Sequence, residues 1–270
     1  NLEVFVEEDL LREEQVEPLF AKVTYTTDLK EAVEGSDMIM EAIVEKKEVK
    51  SSVYQQLDQL LPMGTIIASN TSALNIFEIM PERRLPDTVI AHWYAPANVI
   101  PLVEVVGSEH TRPEVIEAVM TLLKKGGKAP VHMKKFIRGY IVNRLQQCLN
   151  QEVFYLLDNG YCTPEDIDMA VKNSFIPRAM VLGLCKRIDF GGVDMTANNF
   201  RNHSYTMPDP TDMPSEKDGS RRTAWTEDRQ GLLRLHRHGH GGGAGQAGQA
   251  ALRRLPAGKE VPGRPGVSAP

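Results

Sequence analysis

The chain has little cysteine and no long apolar run. Its 270 residues include three cysteines, Cys148, Cys162 and Cys185, and none of them forms a CxxC pair. An odd number of separated cysteines argues against both a disulfide framework and a zinc site, so we expect a reducing, cytoplasmic setting. No run of about 18 apolar residues is present, which predicts that nothing spans a membrane.

The last part of the chain lacks the residues that build a core. Residues 221–270 contain no Ile, Phe, Tyr or Met, yet they hold 10 of the 21 glycines. This composition buries too little apolar surface to fold, so we expect residues 215–270 to form a disordered tail. Advancing a reverse translation of this segment by one base can give helical periodicity, and we therefore hypothesise a frameshift between about residues 214 and 223.

The same segment contains two patterns that resemble binding motifs. Its histidines at 236, 238 and 240 alternate as in short metal-binding tracts, but no carboxylate or cysteine completes a site. The glycine run at 241–245 follows no apolar strand and precedes no apolar helix, so it is not a phosphate-binding loop. We expect no metal site.

Residues 1–135 alternate between short apolar runs and helical periodicity. Strands are predicted at 37–44, 64–69, 87–91, 101–106 and 129–133, and helices at 7–20, 49–61, 72–79 and 114–125. Strands that alternate with helices predict an α/β fold with a doubly wound sheet.

Residues 136–214 show helical patterns alone. Apolar residues recur on one helical face from Ile141 to Leu157, and Gly160 ends that helix. Thr163 and Pro164 then supply a cap and a first-turn proline for a helix that runs to about Lys172. The pattern predicts an all-helical second domain.

One acid stands inside an apolar run. Glu104 is flanked by Leu102, Val103, Val105 and Val106, and a carboxylate in such a strand loses hydration unless it is paired. His92, a short loop upstream, is the nearest titratable candidate. A histidine oriented by a glutamate is a general base that can take a proton from a hydroxyl near neutral pH. The alternative is a satisfied core histidine and an edge-strand charge.

Five sequence blocks occur in the order and at nearly the spacing seen in the 3-hydroxyacyl-CoA dehydrogenases. They are EAIVEKKEVK (41–50), SNTSAL (69–74), HWYAP (92–96), PLVEVV (101–106) and RGYIVNRL (138–145). The resemblance covers residues 20 to 200 and implies a Rossmann-like NAD-binding domain, a helical domain that forms a homodimer, and oxidation of the 3-hydroxyl of a (S)-3-hydroxyacyl-CoA.

The resemblance also implies roles for individual residues. The implied catalytic residues are His92, Glu104, Ser72 and Asn143, and the implied cofactor-binding residues are Ala42, Glu45, Lys50 and Ser72. Ser72 could instead only cap a helix, Glu45 could serve a helix dipole, and Asn143 could be an ordinary first-turn residue. Ala95 stands where the family commonly has Asn, so that cofactor contact is lost or is supplied from elsewhere, with Asn98 as a candidate.

A dinucleotide-binding domain of this kind should open with a strand, a glycine-rich turn and a helix, and none is present. We expect that roughly 40 or more residues, one such unit, are missing from the front. The polypeptide could therefore be an inactive fragment that retains the dimerising helical domain. The substrate could also be a small hydroxy acid without coenzyme A, as in carnitine and gulonate enzymes, with Arg178 for its carboxylate. We expect no nucleic-acid or membrane partner.

Overall fold

The computed structural model describes residues 2–7 and 11–202. The chain divides into two compact units, residues 1–148 and residues 149–270, and each is described by itself. The expected tail at 215–270, with its three histidines, lies outside the described residues.

The first unit is built on a five-stranded sheet whose strands lie in sequence order. The strands are β1 (Met38–Glu41), β2 (Ile66–Ser69), β3 (Thr88–Trp93), β4 (Leu102–Val106) and β5 (Ala129–Met133). All neighbours are parallel except β3 and β4, which are antiparallel. This mostly parallel sheet with flanking helices confirms the predicted Rossmann-like α/β class.

Two apolar layers cover the faces of the sheet, and β3 shows how alternation produces them. Ile90 faces a layer that contains Tyr54, Leu57 and Tyr140, whereas its neighbours Val89 and Ala91 face the layer formed with the helix at 113–125. His92 follows Ile90 by two residues and therefore belongs to the first face. The His92 side chain thus emerges on the face covered by tyrosines.

The helices of this unit agree only partly with the sequence. They are α1 (Leu2–Glu7), α2 (Val16–Phe20), α3 (Leu29–Val33), α4 (Lys47–Leu60) and α5 (Pro113–Lys125), with 3₁₀ turns at Glu13–Gln15, Ile76–Glu78 and Glu82–Asp87. The single helix expected at 7–20 is wrong, because Arg12 has extended backbone angles and a new helical segment begins after it. The helix expected at 72–79 is reduced to one turn.

The strand expected at 37–44 is shorter and less buried than its sequence suggests. β1 ends at Glu41, and Met40 and residues 42–44 are exposed. Within the described residues β1 pairs only with β2, so it is the edge of the sheet, and an edge strand is covered on fewer sides than a central one.

Helical segments follow, and α6 and the start of α7 lie close to the predicted residues. They are α6 (Val142–Asp158), α7 (Pro164–Ala170), a π-helical turn (Val171–Phe175), α8 (Ile176–Leu182), α9 (Leu184–Gly191) and α10 (Val193–Arg201). Thr163 and Asp166 form a reciprocal capping box, and Gly160 has a φ of 68° after α6. The helix expected to stop near Lys172 instead continues through the π turn into α8. None of the described helices combines the length and apolarity needed to cross a membrane.

Candidate active site

His92 and Glu104 are direct cross-strand partners. The antiparallel register of β3 and β4 places them opposite each other, and Nδ1 of His92 lies 3.1 Å from Oε2 of Glu104. His92 is 3% exposed and Glu104 is fully buried. The predicted contact is therefore present, and it is made between two rigid strands.

Four donors converge on the Glu104 carboxylate. Oε2 faces His92 and accepts a hydrogen bond from the Tyr94 hydroxyl at 2.5 Å, while Oε1 accepts from the amides of Ile141 and Val142 at 2.9 and 3.1 Å. Burial opposes ionisation, but these hydrogen bonds outweigh it and hold the pKa of Glu104 below its usual value. An ionised carboxylate only accepts, so Nδ1 of His92 carries the hydrogen and Nε2 is the ring nitrogen that can take a proton.

Tyr140 supports the imidazole from another direction. Its side chain is fully buried, and its ring centroid lies 4.7 Å from that of His92. Its hydroxyl donates to the carbonyl oxygen of Thr71 at 2.7 Å, which ties the loop before Ser72 to the histidine. Tyr140 also has a φ of 52°, a conformation that costs on the order of 1 to 3 kcal/mol for a residue other than glycine.

Asn143 lies beside the pair, at the start of α6. It is exposed, it directly follows the amide of Val142 that binds Glu104, and its own backbone amide hydrogen-bonds the Tyr94 hydroxyl. The carboxylate and the tyrosine thus fix the first turn of the helix, and the fold brings Asn143 close to the residues that surround His92.

Ser72 lies in a loop that is organised by Glu45. Oε1 of Glu45 accepts from the Thr71 hydroxyl at 2.5 Å and from the amides of Ser72, Ala73 and Leu74 at 3.0 to 3.2 Å. A carboxylate from another segment therefore holds the loop that follows β2. Burial opposes ionisation of Glu45, but the bond from Thr71 and the loop amides lower its pKa. The Ser72 side chain remains exposed.

Lys50 is fully buried between two carboxylates. Its Nζ lies 2.7 Å from Oε1 of Glu41 and 3.4 Å from Oε2 of Glu45. Glu41 also accepts hydrogen bonds from Tyr54 at 2.5 Å and Ser69 at 2.6 Å. Burial alone would raise the pKa of Glu41, but Lys50 and the two hydroxyls lower it. Lys50 is therefore not exposed itself, although it contacts Glu45, which is exposed. Ala42 is exposed.

Three residues of this arrangement were not identified from the sequence. Tyr94 and Tyr140 lie within the blocks HWYAP and RGYIVNRL but drew no separate prediction, and Glu41 lies inside the strand predicted at 37–44. A signal existed for each. Tyr94 follows His92 by two residues and so lies on the same face of a strand, Tyr140 follows a glycine, and Glu41 is an acid within an apolar run that calls for a partner.

Two further candidates lie apart from these contacts. Asn98 is exposed in the loop after Ala95, and its role as a substitute cofactor contact stays a prediction. Arg178 is exposed in the second unit, where its Nε donates to the carbonyl oxygen of Ser174. Across the part of the chain that the structure describes, no three His, Cys, Asp or Glu side chains are grouped as metal ligands.

Two family models match the chain. The model of the 3-hydroxyacyl-CoA dehydrogenase NAD binding domain matches residues 1–136, and that of the 3-hydroxyacyl-CoA dehydrogenase C-terminal domain matches residues 139–218. Together they cover both predicted domains.

Individual proteins are similar over shorter stretches. The chain is 33% identical to mitochondrial hydroxyacyl-coenzyme A dehydrogenase of Sus scrofa over 193 residues, which cover 71% of this chain and 60% of that protein. It is 33% identical to L-carnitine dehydrogenase of Streptomyces griseus over 163 residues, 60% of this chain and 49% of that protein. The chain thus spans about half the length of the curated relatives it matches.

A solved structure resembles the fold. The crystal structure of 5-formyl-3-hydroxy-2-methylpyridine 4-carboxylic acid 5-dehydrogenase, an NAD+ dependent dismutase, superposes with a TM-score of 0.63 at 27% identity. The match covers 80% of this chain and 77% of that one.

Proposed function

Because the chain belongs to the 3-hydroxyacyl-CoA dehydrogenase family, we propose that it oxidises the 3-hydroxyl of a (S)-3-hydroxyacyl-CoA to the 3-oxoacyl-CoA with NAD. The observation that carries the proposal is the His92–Glu104 pair, a histidine whose Nδ1 is held by a buried, ionised carboxylate. Removal of a hydride from a secondary alcohol requires simultaneous removal of the hydroxyl proton, and this pair is built to accept it.

The chain's own residues account for the proton and for the developing carbonyl. Nε2 of His92 takes the proton of the 3-hydroxyl, and Glu104 stabilises the imidazolium that forms. The side chains of Ser72 and Asn143, both exposed, hydrogen-bond the substrate oxygen as it becomes a carbonyl. When bound, NAD supplies the acceptor for the hydride.

The ends of two parallel strands fit a nicotinamide nucleotide. Ala42 and Glu45 follow β1, Ser72 follows β2, and all three are exposed at the carboxyl edge of the sheet, where ligands of such folds bind. A carboxylate and a hydroxyl there suit the hydroxyl groups of a ribose and the carboxamide of the nicotinamide. Lys50 contributes indirectly, because its buried ammonium holds Glu45.

The identity of the substrate's acyl group has a second candidate. The similarity to L-carnitine dehydrogenase favours, as a second candidate, a small 3-hydroxy acid without coenzyme A. A third possibility is that the polypeptide is an inactive fragment of such a dehydrogenase.

The test is an assay of NADH formation by the 270-residue chain with (S)-3-hydroxybutyryl-CoA and, separately, with L-carnitine, alongside calorimetric titration of NAD. If the chain is active, turnover is expected with the coenzyme A ester and is expected to be lost in His92→Gln. Faster oxidation of carnitine would replace the first candidate with the second. Absence of both NAD binding and turnover would overturn the activity and support the inactive fragment.

A further inference from the structure

Tyr94 and His92 hydrogen-bond the same carboxylate oxygen. The Tyr94 hydroxyl donates to Oε2 of Glu104 at 2.5 Å, closer than the 3.1 Å between that oxygen and Nδ1 of His92. The two rings also meet edge to face, with centroids 4.6 Å apart. Tyr94 is therefore a second hydrogen-bond partner of the carboxylate oxygen that orients His92.

The direction of the Tyr94 hydrogen bond is unambiguous. An ionised carboxylate only accepts, so the phenol donates its hydrogen. Burial and the hydrogen bond to Glu104 both raise the pKa of Tyr94, so the phenol stays protonated across the physiological range. The oxygen thus receives one permanent donor from Tyr94 in addition to the imidazole.

Tyr140, the other titratable side chain in contact with His92 among the described residues, does not share this oxygen. Tyr140 packs its ring on the imidazole, but its hydroxyl donates to the carbonyl of Thr71. The amides of Ile141 and Val142 occupy Oε1, the other carboxylate oxygen. Tyr94 is therefore the group placed to change how strongly Oε2 attracts a proton on His92.

We propose that Tyr94 is a positioning residue that limits the proton affinity of His92 by sharing the Glu104 oxygen. Each donor to a carboxylate oxygen disperses its negative charge, so the phenol weakens the field that stabilises the imidazolium. Without it, His92 would hold its proton to higher pH and would be a less available base near neutrality. The consequence for catalysis rests on the proposed function; the effect on the histidine does not.

The direct experiment is an NMR titration of the His92 imidazole in the full chain without substrate. His92→Gln assigns the resonance by removing it. We expect Tyr94→Phe, which keeps the ring and deletes the donor, to raise the titration midpoint by about 0.5 to 1 pH unit. Tyr140→Phe is the matched control, because it deletes a neighbouring hydroxyl that does not touch Glu104, and its midpoint should move less.

A substitution in the opposite direction guards against a variant that fails to fold. Replacing Tyr94 with 3-fluorotyrosine preserves the shape and makes the phenol a stronger donor, so the His92 midpoint should fall. An unchanged midpoint in both Tyr94 variants, or a shift of the opposite sign in either, would overturn the proposal.

Kinetics then separates this proposal from the proposed function. If the chain oxidises its substrate, the acid limb of kcat/KM should move to higher pH in Tyr94→Phe. A rate lowered equally at every pH would indicate a merely structural tyrosine and contradict the inference. If the Tyr94 variants shift the His92 midpoint as expected but the wild-type chain shows no turnover, the proposed function is overturned and the inference stands.

Discussion

At the scale of single residues, the Glu104 carboxylate joins two parts of the site. Oε2 faces His92 and Tyr94, while Oε1 binds the amides of Ile141 and Val142 at the start of α6. A helix N-terminus favours negative charge, so the helix helps to keep Glu104 ionised and the carboxylate helps to fix the helix. The same acid thereby orients the imidazole and the turn that carries Asn143.

In a form of the chain that oxidises its substrate, we expect Glu104→Gln to reduce turnover by roughly 10² to 10⁴-fold while leaving NAD affinity nearly unchanged. The amide loses the charge that stabilises the imidazolium, but the exposed residues proposed for the cofactor lie after β1 and β2 and do not contact Glu104. Steady-state kinetics and calorimetry with NAD measure the two effects. Glu114→Gln, on the exposed surface of α5, is the control. Unchanged turnover in Glu104→Gln would contradict the assigned role.

The sequence predicted the His92–Glu104 contact but not the residues around it, and the difference has a physical reason. An acid inside an apolar strand needs a partner, and the amino-acid sequence alone shows that Glu104 is such an acid. Tyr140 reaches His92 from a segment 48 positions away, and its backbone has a positive φ that its sequence does not indicate. Lys50 was expected to bind the cofactor, yet its side chain is buried and is paired with Glu41, which lies on a different element, β1.

At the scale of elements, the prediction succeeded where a segment's own pattern decides its structure. All five strands and the helices α4, α5 and α6 appear close to their expected positions, because alternation and capping are local. It failed where another segment intervenes. The loop after β2 is held by the carboxylate of Glu45, 26 to 29 positions earlier, and β1 is less buried because it lies at the sheet edge.

Two adjacent glycines, Gly126 and Gly127, follow α5, and we predict that they differ in their tolerance of alanine. Gly127 has a φ of 74°, which an L side chain rarely adopts, whereas Gly126 has a φ of −79°. Gly127→Ala should lower the free energy of unfolding by about 1 kcal/mol or more, and Gly126→Ala should change it much less. Urea unfolding followed by circular dichroism measures both. Equal effects would show that the backbone conformation at Gly127 does not limit this turn.

At the scale of the whole first unit, buried charge links stability to pH. Glu41 and Glu104 are both almost fully buried, and hydrogen bonds lower the pKa of each in the folded state. Protonated forms are therefore less favoured in the folded chain than in the unfolded one. Their contribution to stability is fully present above the unfolded pKa, about 4.3, and is lost as the pH falls through the lower folded value.

Lys50→Met tests this linkage because it removes the cation that Glu41 and Glu45 share. At neutral pH two carboxylates then lack their partner, and the free energy of unfolding should fall by about 3 to 5 kcal/mol. The pKa of Glu41 should also rise toward its unfolded value, so the variant should lose less further stability than the wild type between pH 7 and pH 4. Lys47→Met, an exposed position on the same helix, should match the wild type at both pH values. Urea unfolding at the two pH values measures each quantity, and a Lys50→Met chain as stable as Lys47→Met would show that the buried ion pairs do not hold this part of the fold.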